Sequence, residues 1–170
     1  MSQESLKSSC RTPRTKTPEQ ALSSLMRQCA RAEKCSGDAL RLMRRWGVSE
    51  ADARKVLERL LRERFIDDGR YAAAFVRDKM RFSGWGERKI RMALRAKGVA
   101  TQYIDAALGE LESVDNSRRL EEMLLKKAAK TTARDLYDLK GKLVRFGMSR
   151  GFELEDVLAA TDQVLREREP

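Results

Sequence analysis

The residues of this chain that could do chemistry are arginines, lysines and aromatics. Between Arg70 and Lys97 stand nine basic residues: Arg70, Arg77, Lys79, Arg81, Arg88, Lys89, Arg91, Arg95 and Lys97. They are opposed by two acids, Asp78 and Glu87. Four aromatics, Tyr71, Phe75, Phe82 and Trp85, are set among them. Guanidinium groups grip phosphate or carboxylate through paired N–H donors. An aromatic face stacks on a base or closes a small core as a lid. A second basic group, Arg41, Arg44 and Arg45, lies upstream. These residues predict recognition of an anionic partner, either nucleic-acid phosphate or an acidic protein surface.

Catalytic and metal chemistry find little support. The chain has no histidine, so the commonest general base and metal ligand is missing. Its cysteines, Cys10, Cys29 and Cys35, form no CxxC pair and are too few and too irregular for a disulfide framework. Cys29 keeps register with Leu22, Leu25 and Met26 and reads as a small core residue. Glu, Lys and Cys are not grouped around a phosphate loop or a nucleophile turn. No catalytic residue, metal site or cofactor is expected, and the chain is not read as an enzyme. A net charge of +10 and 36% charged residues favour solvated helices around thin cores and a polyanionic or acidic partner. No apolar run approaches the ~20 residues of a membrane span, and no secretion signal is visible. A cytoplasmic chain is expected.

The elements that must position the basic residues are helices. Residues 1–16 lack periodicity and read as a disordered basic tail. Thr17-Pro18-Glu19-Gln20 has the form of a capping box, and Leu22, Leu25, Met26 and Cys29 follow at helical spacing. A short helix ends at Gly47. Ser49 caps the next, with Ala53, Val56, Leu57, Leu60 and Leu61 lining its inward face up to about Arg64. Asp67 and Asp68 are assigned to capping the following helix, which carries Tyr71, Ala72, Phe75 and Val76 and runs to about Phe82. Gly84-Trp85-Gly86 breaks it. Ile90, Ala93 and Leu94 then face inward up to Gly98. Further helices follow from about Thr101 and Asp115, from a start at Thr132-x-x-Asp135, and from Leu154.

A repeat is visible in this order. Gly47, Gly98 and Gly151 fall 51 and 53 residues apart, each followed by an apolar residue: Val48, Val99 and Phe152. Ala39, Ile90 and Leu143 stand eight residues before these glycines, and Ala53, Ile104 and Val157 six after. The pattern predicts an all-α protein, an elongated curved array of three tandem three-helix repeats. The repeats span 17–64, 65–113 and 114–170. Gly147 falls inside a helix, at a cost of about 1 kcal/mol. Arg44 and Arg95 both precede their marker glycine by three residues. Arg88, Arg91, Met92 and Arg95 gather on the side opposite Ile90 and Leu94. Stacked repeats would join such groups into a basic stripe. A helix-turn-helix DNA reader is the alternative, although the third helices carry acids (Glu50, Asp52, Glu58; Asp105, Glu110, Glu112) where a recognition helix is normally basic or polar.

The string Phe65-Ile66-Asp67-Asp68-x-Arg70-Tyr71-Ala72, then Phe75-Val76, Gly86-x-Arg88-x-Ile90-Arg91 and Leu94-x-x-Lys97-Gly98-Val99, resembles the bacterial RecX regulatory proteins. Lys142-Leu143-x-Arg145-Phe146 with Arg150-Gly151-Phe152 is similar to the last repeat of that family. The resemblance covers about residues 18–167. It departs at Arg64, where the family usually has Gly, at Met92 and Ala93, and at Gly147. The resemblance implies a non-enzymatic modulator of the RecA recombinase in homologous recombination and the SOS response. It would act as a monomer in the groove of the RecA–DNA filament, bridging protomers and restraining ATP hydrolysis and strand exchange, with weak, non-specific DNA contact. The candidate contact residues are Arg41, Arg44, Arg45, Arg70, Arg77, Lys79, Arg81, Arg88, Lys89, Arg91 and Arg95. Asp67, Asp68, Tyr71, Ile90, Leu94, Gly98 and Gly151 are the structural signature.

Overall fold

The computed structural model describes residues 15–110 and 113–167. Among them run nine helices: α1 (Pro18–Cys29), α2 (Ser36–Arg45), α3 (Glu50–Arg62), α4 (Asp68–Ser83), α5 (Glu87–Ala96), α6 (Thr101–Gly109), α7 (Ser113–Ala129), α8 (Leu136–Arg150) and α9 (Leu154–Arg166). They form two compact units, divided between Ile66 and Asp67. The first holds α1–α3 and the second α4–α9.

The helix starts follow from side-chain capping. The Thr17 hydroxyl accepts from the Gln20 amide, and the Gln20 side chain bonds back to the Thr17 amide. Ser49 accepts from the Asp52 amide, and Asp67 from the Arg70 amide. Each cap satisfies an N–H that the first turn leaves without an intrahelical partner. One start differs from the sequence expectation. The cap of α8 is Asp135, which accepts from the Asp138 amide at 2.7 Å, and not Thr132. The reason lies in the preceding turn. Lys142 Nζ donates to the Thr132 carbonyl and to Asp138, and the Arg134 amide donates to the same carboxylate. These bonds hold residues 132–135 outside the helix.

Helix ends are equally local. After α2 and α5 the chain passes through Gly47 (φ 71°) and Gly98 (φ 82°). The next amide, Val48 or Val99, reaches back to the carbonyl of Met43 or Leu94. This is the Schellman closure, and it needs a left-handed residue. Helix α3 closes in the same way, with Phe65 N–H to Leu60 and Arg64 N–H to Leu61, yet its left-handed residue is Arg64 at φ 58°. A non-glycine there costs about 1–2 kcal/mol.

In the first unit Leu25, Met43, Leu60 and Ile66 are the large buried side chains, whereas Leu61, expected inward, is 40% exposed because it stands 100° around α3 from Leu60. Ile66 belongs to this core, so the unit extends two residues beyond the expected end at Arg64. At the other end, residues 1–14 of the expected tail lie outside the described residues. Lys16 is part of the fold: its amide donates to the Trp46 carbonyl at 2.9 Å. The fully buried cysteine is Cys35, while Cys29 sits half-buried at the rim of the core, and Cys10 lies outside the described residues.

In the second unit α4 packs on α5 and α6, burying Val76, Ile90, Leu94 and Ile104. Helices α7, α8 and α9 pack on one another around Leu120, Leu124, Leu143, Phe152 and Val157. A Cβ at Gly147 would lie 2.8 Å from Val157 Cγ1, so its place inside α8 allows α9 to approach closely. The third repeat begins with α7 at Ser113, one residue earlier than expected.

The two halves of this unit meet helix end to helix end. The N-cap of α5, Gly86, offers no side chain for capping. Instead the Gly86 and Arg88 amides donate to the carbonyls of Arg150 and Gly151, at 2.8 and 3.1 Å, where α8 terminates. Unpaired donors of one helix thus satisfy unpaired acceptors of another, with opposite dipole ends in contact. At the far end of α4, Arg119 donates to the Met80 carbonyl at 2.8 Å and Arg150 to the Ser83 carbonyl at 3.0 Å. Two arginines of the third repeat therefore cap the last turn of a helix in the second.

Candidate partner-binding face

The basic residues of the second unit sort into two groups. On α4, Arg70, Arg77 and Arg81 fall within about 40° of one another at 100° per residue, and all three are exposed. On α5, Arg88 and Arg95 are exposed, with Met92 between them 65% exposed, opposite buried Ile90 and Leu94. Arg77, Arg88 and Arg95 make no ion pair with a described residue. Arg81 lies over the Phe82 ring, 5.5 Å from its centroid. These four guanidinium groups are available to an external anion.

The other candidates are engaged within the chain. Arg91 donates to Asp105 and, at 2.8 Å, to Glu87, so it ties α5 to α6. The Asp105 bond, then that to Glu87, holds its guanidinium still more firmly protonated than usual. Lys89 Nζ donates to the Ser149 carbonyl at 3.1 Å across the α5–α8 joint. Lys79 and Lys89 lie over the Trp85 ring at 5.0 and 4.8 Å, and Trp85 meets Phe75 edge to face at 6.4 Å. Tyr71 stacks with Phe75 at 6.0 Å, under Lys97 at 5.7 Å. Trp85 is thus a half-buried lid already covered by two ammonium groups. The aromatic presented to solvent is Phe82, 77% exposed.

In the first unit Arg41, Arg44 and Arg45 are exposed on α2. Arg41 is paired with Asp38 at 2.6 Å. Arg44 lines a shallow cavity of about 240 Å³ with Leu40, Val48 and Ala53.

Of the signature residues, Asp67 caps α4 and Asp68 is its first residue. Tyr71, Ile90 and Leu94 are buried. Gly98 closes α5. Gly151 takes φ 90° and has no room for a side chain, since a Cβ would lie 2.3 Å from Lys89 Cβ. Sequence reasoning left Arg119 and Arg150 out of the assigned residues. Arg150 stands directly before a marker glycine, where a helix ends, and that position is its only local signal. Nothing local marks Arg119.

These features define an all-helical protein of three-helix units with exposed, unpaired arginines. Among the described residues no helix is long and apolar enough to cross a membrane, and no group of His, Cys, Asp or Glu is placed to hold a metal ion. The family description "RecX, second three-helix domain" matches residues 67–108. The regulatory protein RecX of Chlorobium phaeobacteroides is 34% identical over 118 residues, covering 69% of this chain and 76% of its own. That of Clostridium beijerinckii is 29% identical over 149 residues, 78% of this chain and 67% of its own. That of Clostridium botulinum is 34% identical over 148 residues, 84% and 62%. The chain thus spans about two thirds of the length of the two clostridial relatives. The chain belongs to the RecX family of regulatory proteins. Two crystal structures share its fold. One of regulatory protein RecX has a TM-score of 0.79 at 21% identity, covering 85% of this chain and 73% of its own. RecX from Lactobacillus salivarius has a TM-score of 0.70 at 18% identity, covering 88% and 95%.

Proposed function

We propose that this protein binds in the groove of the RecA–DNA filament and restrains RecA's ATP hydrolysis, strand exchange and coprotease activity. The observation that carries the proposal is the set Arg77, Arg81, Arg88 and Arg95, four exposed guanidinium groups without an internal carboxylate, in a unit whose first three helices match the RecX family. Arginine forks of this kind suit acidic protein surface and DNA phosphate alike. Repeated three-helix units support the same reading, because several weak contacts to neighbouring protomers add through linkage. Arg41, Arg44, Arg45 and Arg70 extend the proposed contact set. Arg91, Lys79 and Lys89 are assigned to shaping the unit that presents it. A filament role implies the bacterial cytoplasm and a monomeric chain.

The test is RecA's single-strand-DNA-dependent ATPase and strand exchange with and without the protein. Inhibition at one protein per few RecA protomers is expected. Unchanged rates at stoichiometric protein would overturn the proposal.

A further inference from the structure

A second cluster of cations lies in the first unit, along α1 and against Trp46, the residue that ends α2. Lys16, Ser24, Arg27, Gln28 and Arg31 line a cleft of about 220 Å³. Three of the five are cations, one is a hydroxyl, one an amide, and no acid is among them. Ser24, Arg27, Gln28 and Arg31 stand at intervals of three, four and seven, so they share one face of α1 and its extension. Arg27 and Arg31 are exposed and make no ion pair with a described residue.

The third cation arrives from the other direction. The backbone of Lys16 is pinned by its amide bond to the Trp46 carbonyl. Its ammonium donates to Ser24 Oγ at 2.8 Å and sits 3.6 Å above the Trp46 ring centroid. It is therefore held in place, with N–H donors to spare. Charge at a helix C-terminus accounts for Arg27, at about 0.3–1 kcal/mol. It does not account for Lys16, which precedes the helix, nor for Arg31, which lies beyond its last turn.

We propose that this cleft binds the backbone phosphates of a nucleic-acid strand. Two forked arginines one turn apart and a fixed ammonium present donors to consecutive oxyanions. The lining offers no apolar anchor of the kind that carries protein–protein binding, so an acidic protein segment is the poorer occupant. None of the residues lining the cleft is among the arginines proposed above to meet the filament, and the site needs no recombinase.

The test is fluorescence anisotropy of the full chain with a labelled single-stranded oligonucleotide, across a salt series and without RecA. Arg27→Ala/Arg31→Ala should weaken binding at least fivefold at low salt. It should also flatten the slope of log K against log salt by roughly 1 to 1.5, two phosphate contacts at about 0.7 each. Lys16→Ala should weaken binding by a smaller factor. Arg54→Ala, an exposed change in the same unit outside the cleft, should leave it unchanged. Equal losses from Arg54→Ala would reduce the effect to general charge and overturn the site, as would unchanged affinity and slope in the double variant. Displacement of the strand by millimolar pyrophosphate at fixed ionic strength would assign a small-phosphate pocket and overturn the strand assignment. Thermal melts of each variant should match the parent, so that loss of binding is not loss of fold. Because RecA is absent, failure here leaves the filament proposal standing, and failure of RecA inhibition leaves this site standing.

Discussion

The amide of Gly86 donates to the carbonyl of Arg150 at 2.8 Å, which brings Gly86 against Gly151 so closely that a Cβ on the first would lie 2.5 Å from the carbonyl carbon of the second. Gly86 has an ordinary backbone conformation (φ −83°), so its glycine is required by space and not by torsion. Gly86→Ala should therefore push α5 from α8 without straining its own backbone. The expected loss is about 1–3 kcal/mol, the usual cost of overpacking a fitted contact. Gly109→Ala, where nothing lies within 4 Å of the added carbon, should change stability by less than about 0.5 kcal/mol. Urea unfolding checks both. A Gly86→Ala chain as stable as the parent would show that the helix ends do not depend on their contact.

Arg64 supplies the opposite case, a left-handed position without a glycine. The closure of α3 is intact, so Arg64→Gly should keep both reverse-turn bonds and relieve the side chain's conflict with its own backbone. Added freedom in the unfolded chain takes back part of this gain. A net stabilisation of about 0.5–1 kcal/mol is expected. The urea midpoint should rise with an unchanged slope. A lower midpoint would mean that the Arg64 side chain contributes contacts worth more than the strain.

What was legible in the sequence follows from range. Thr17, Ser49 and Asp67 act on amides three residues away, so composition and spacing reveal them. Gly98 and Ile90 are legible for the same reason, one closing a turn and the other keeping helical register. The joint between the second and third repeats was not legible. Gly86 meets Arg150 through backbone atoms alone, and the Arg119 guanidinium meets the backbone carbonyl of Met80, so the acceptors have no residue type to read. Arg91 illustrates the limit within the candidate face. Its place beside Arg88 and Arg95 is visible from periodicity, but its bond to Asp105 depends on how α6 returns across α5. The Thr132 start failed because two good capping residues stand three apart, and Lys142 and Asp138, farther along the helix, decide between them.

Asp138 also predicts a pH dependence. The Lys142 ammonium at 2.8 Å, and then the Arg134 amide, hold its carboxyl below the usual aspartate range. A group depressed in the folded state binds fewer protons there than in the unfolded chain. Its contribution is present above the ordinary aspartate value, near 3.9, and is lost as pH falls through the folded value. Asp138→Asn should lower stability at neutral pH and flatten part of the acid limb below about pH 4. A carboxyl titration by NMR is the direct check. An Asp138 signal moving together with those of solvated aspartates would remove the basis for the effect.

The α5 helix separates surface from core within a single turn, and this allows the filament proposal to be tested without unfolding the unit. Arg88 and Arg95 are exposed and unpaired, so Arg88→Glu/Arg95→Glu should leave helicity and melting near the parent, within the roughly 0.5 kcal/mol typical of surface changes. It should raise the concentration needed for half-inhibition of RecA's ATPase at least tenfold, about 1.4 kcal/mol of binding. Ile90→Asp or Leu94→Asp buries a carboxylate at a site with no accessible surface, and should cost about 4 kcal/mol or more. Arg91→Ala belongs to neither group. It removes the link to Asp105 and Glu87, and should lower stability by about 1 kcal/mol while affecting RecA less than the double reversal does. If Arg88→Glu/Arg95→Glu unfolds as readily as Ile90→Asp, those two arginines support the fold and are not a contact surface. If it folds and still inhibits RecA fully, the partner engages another face.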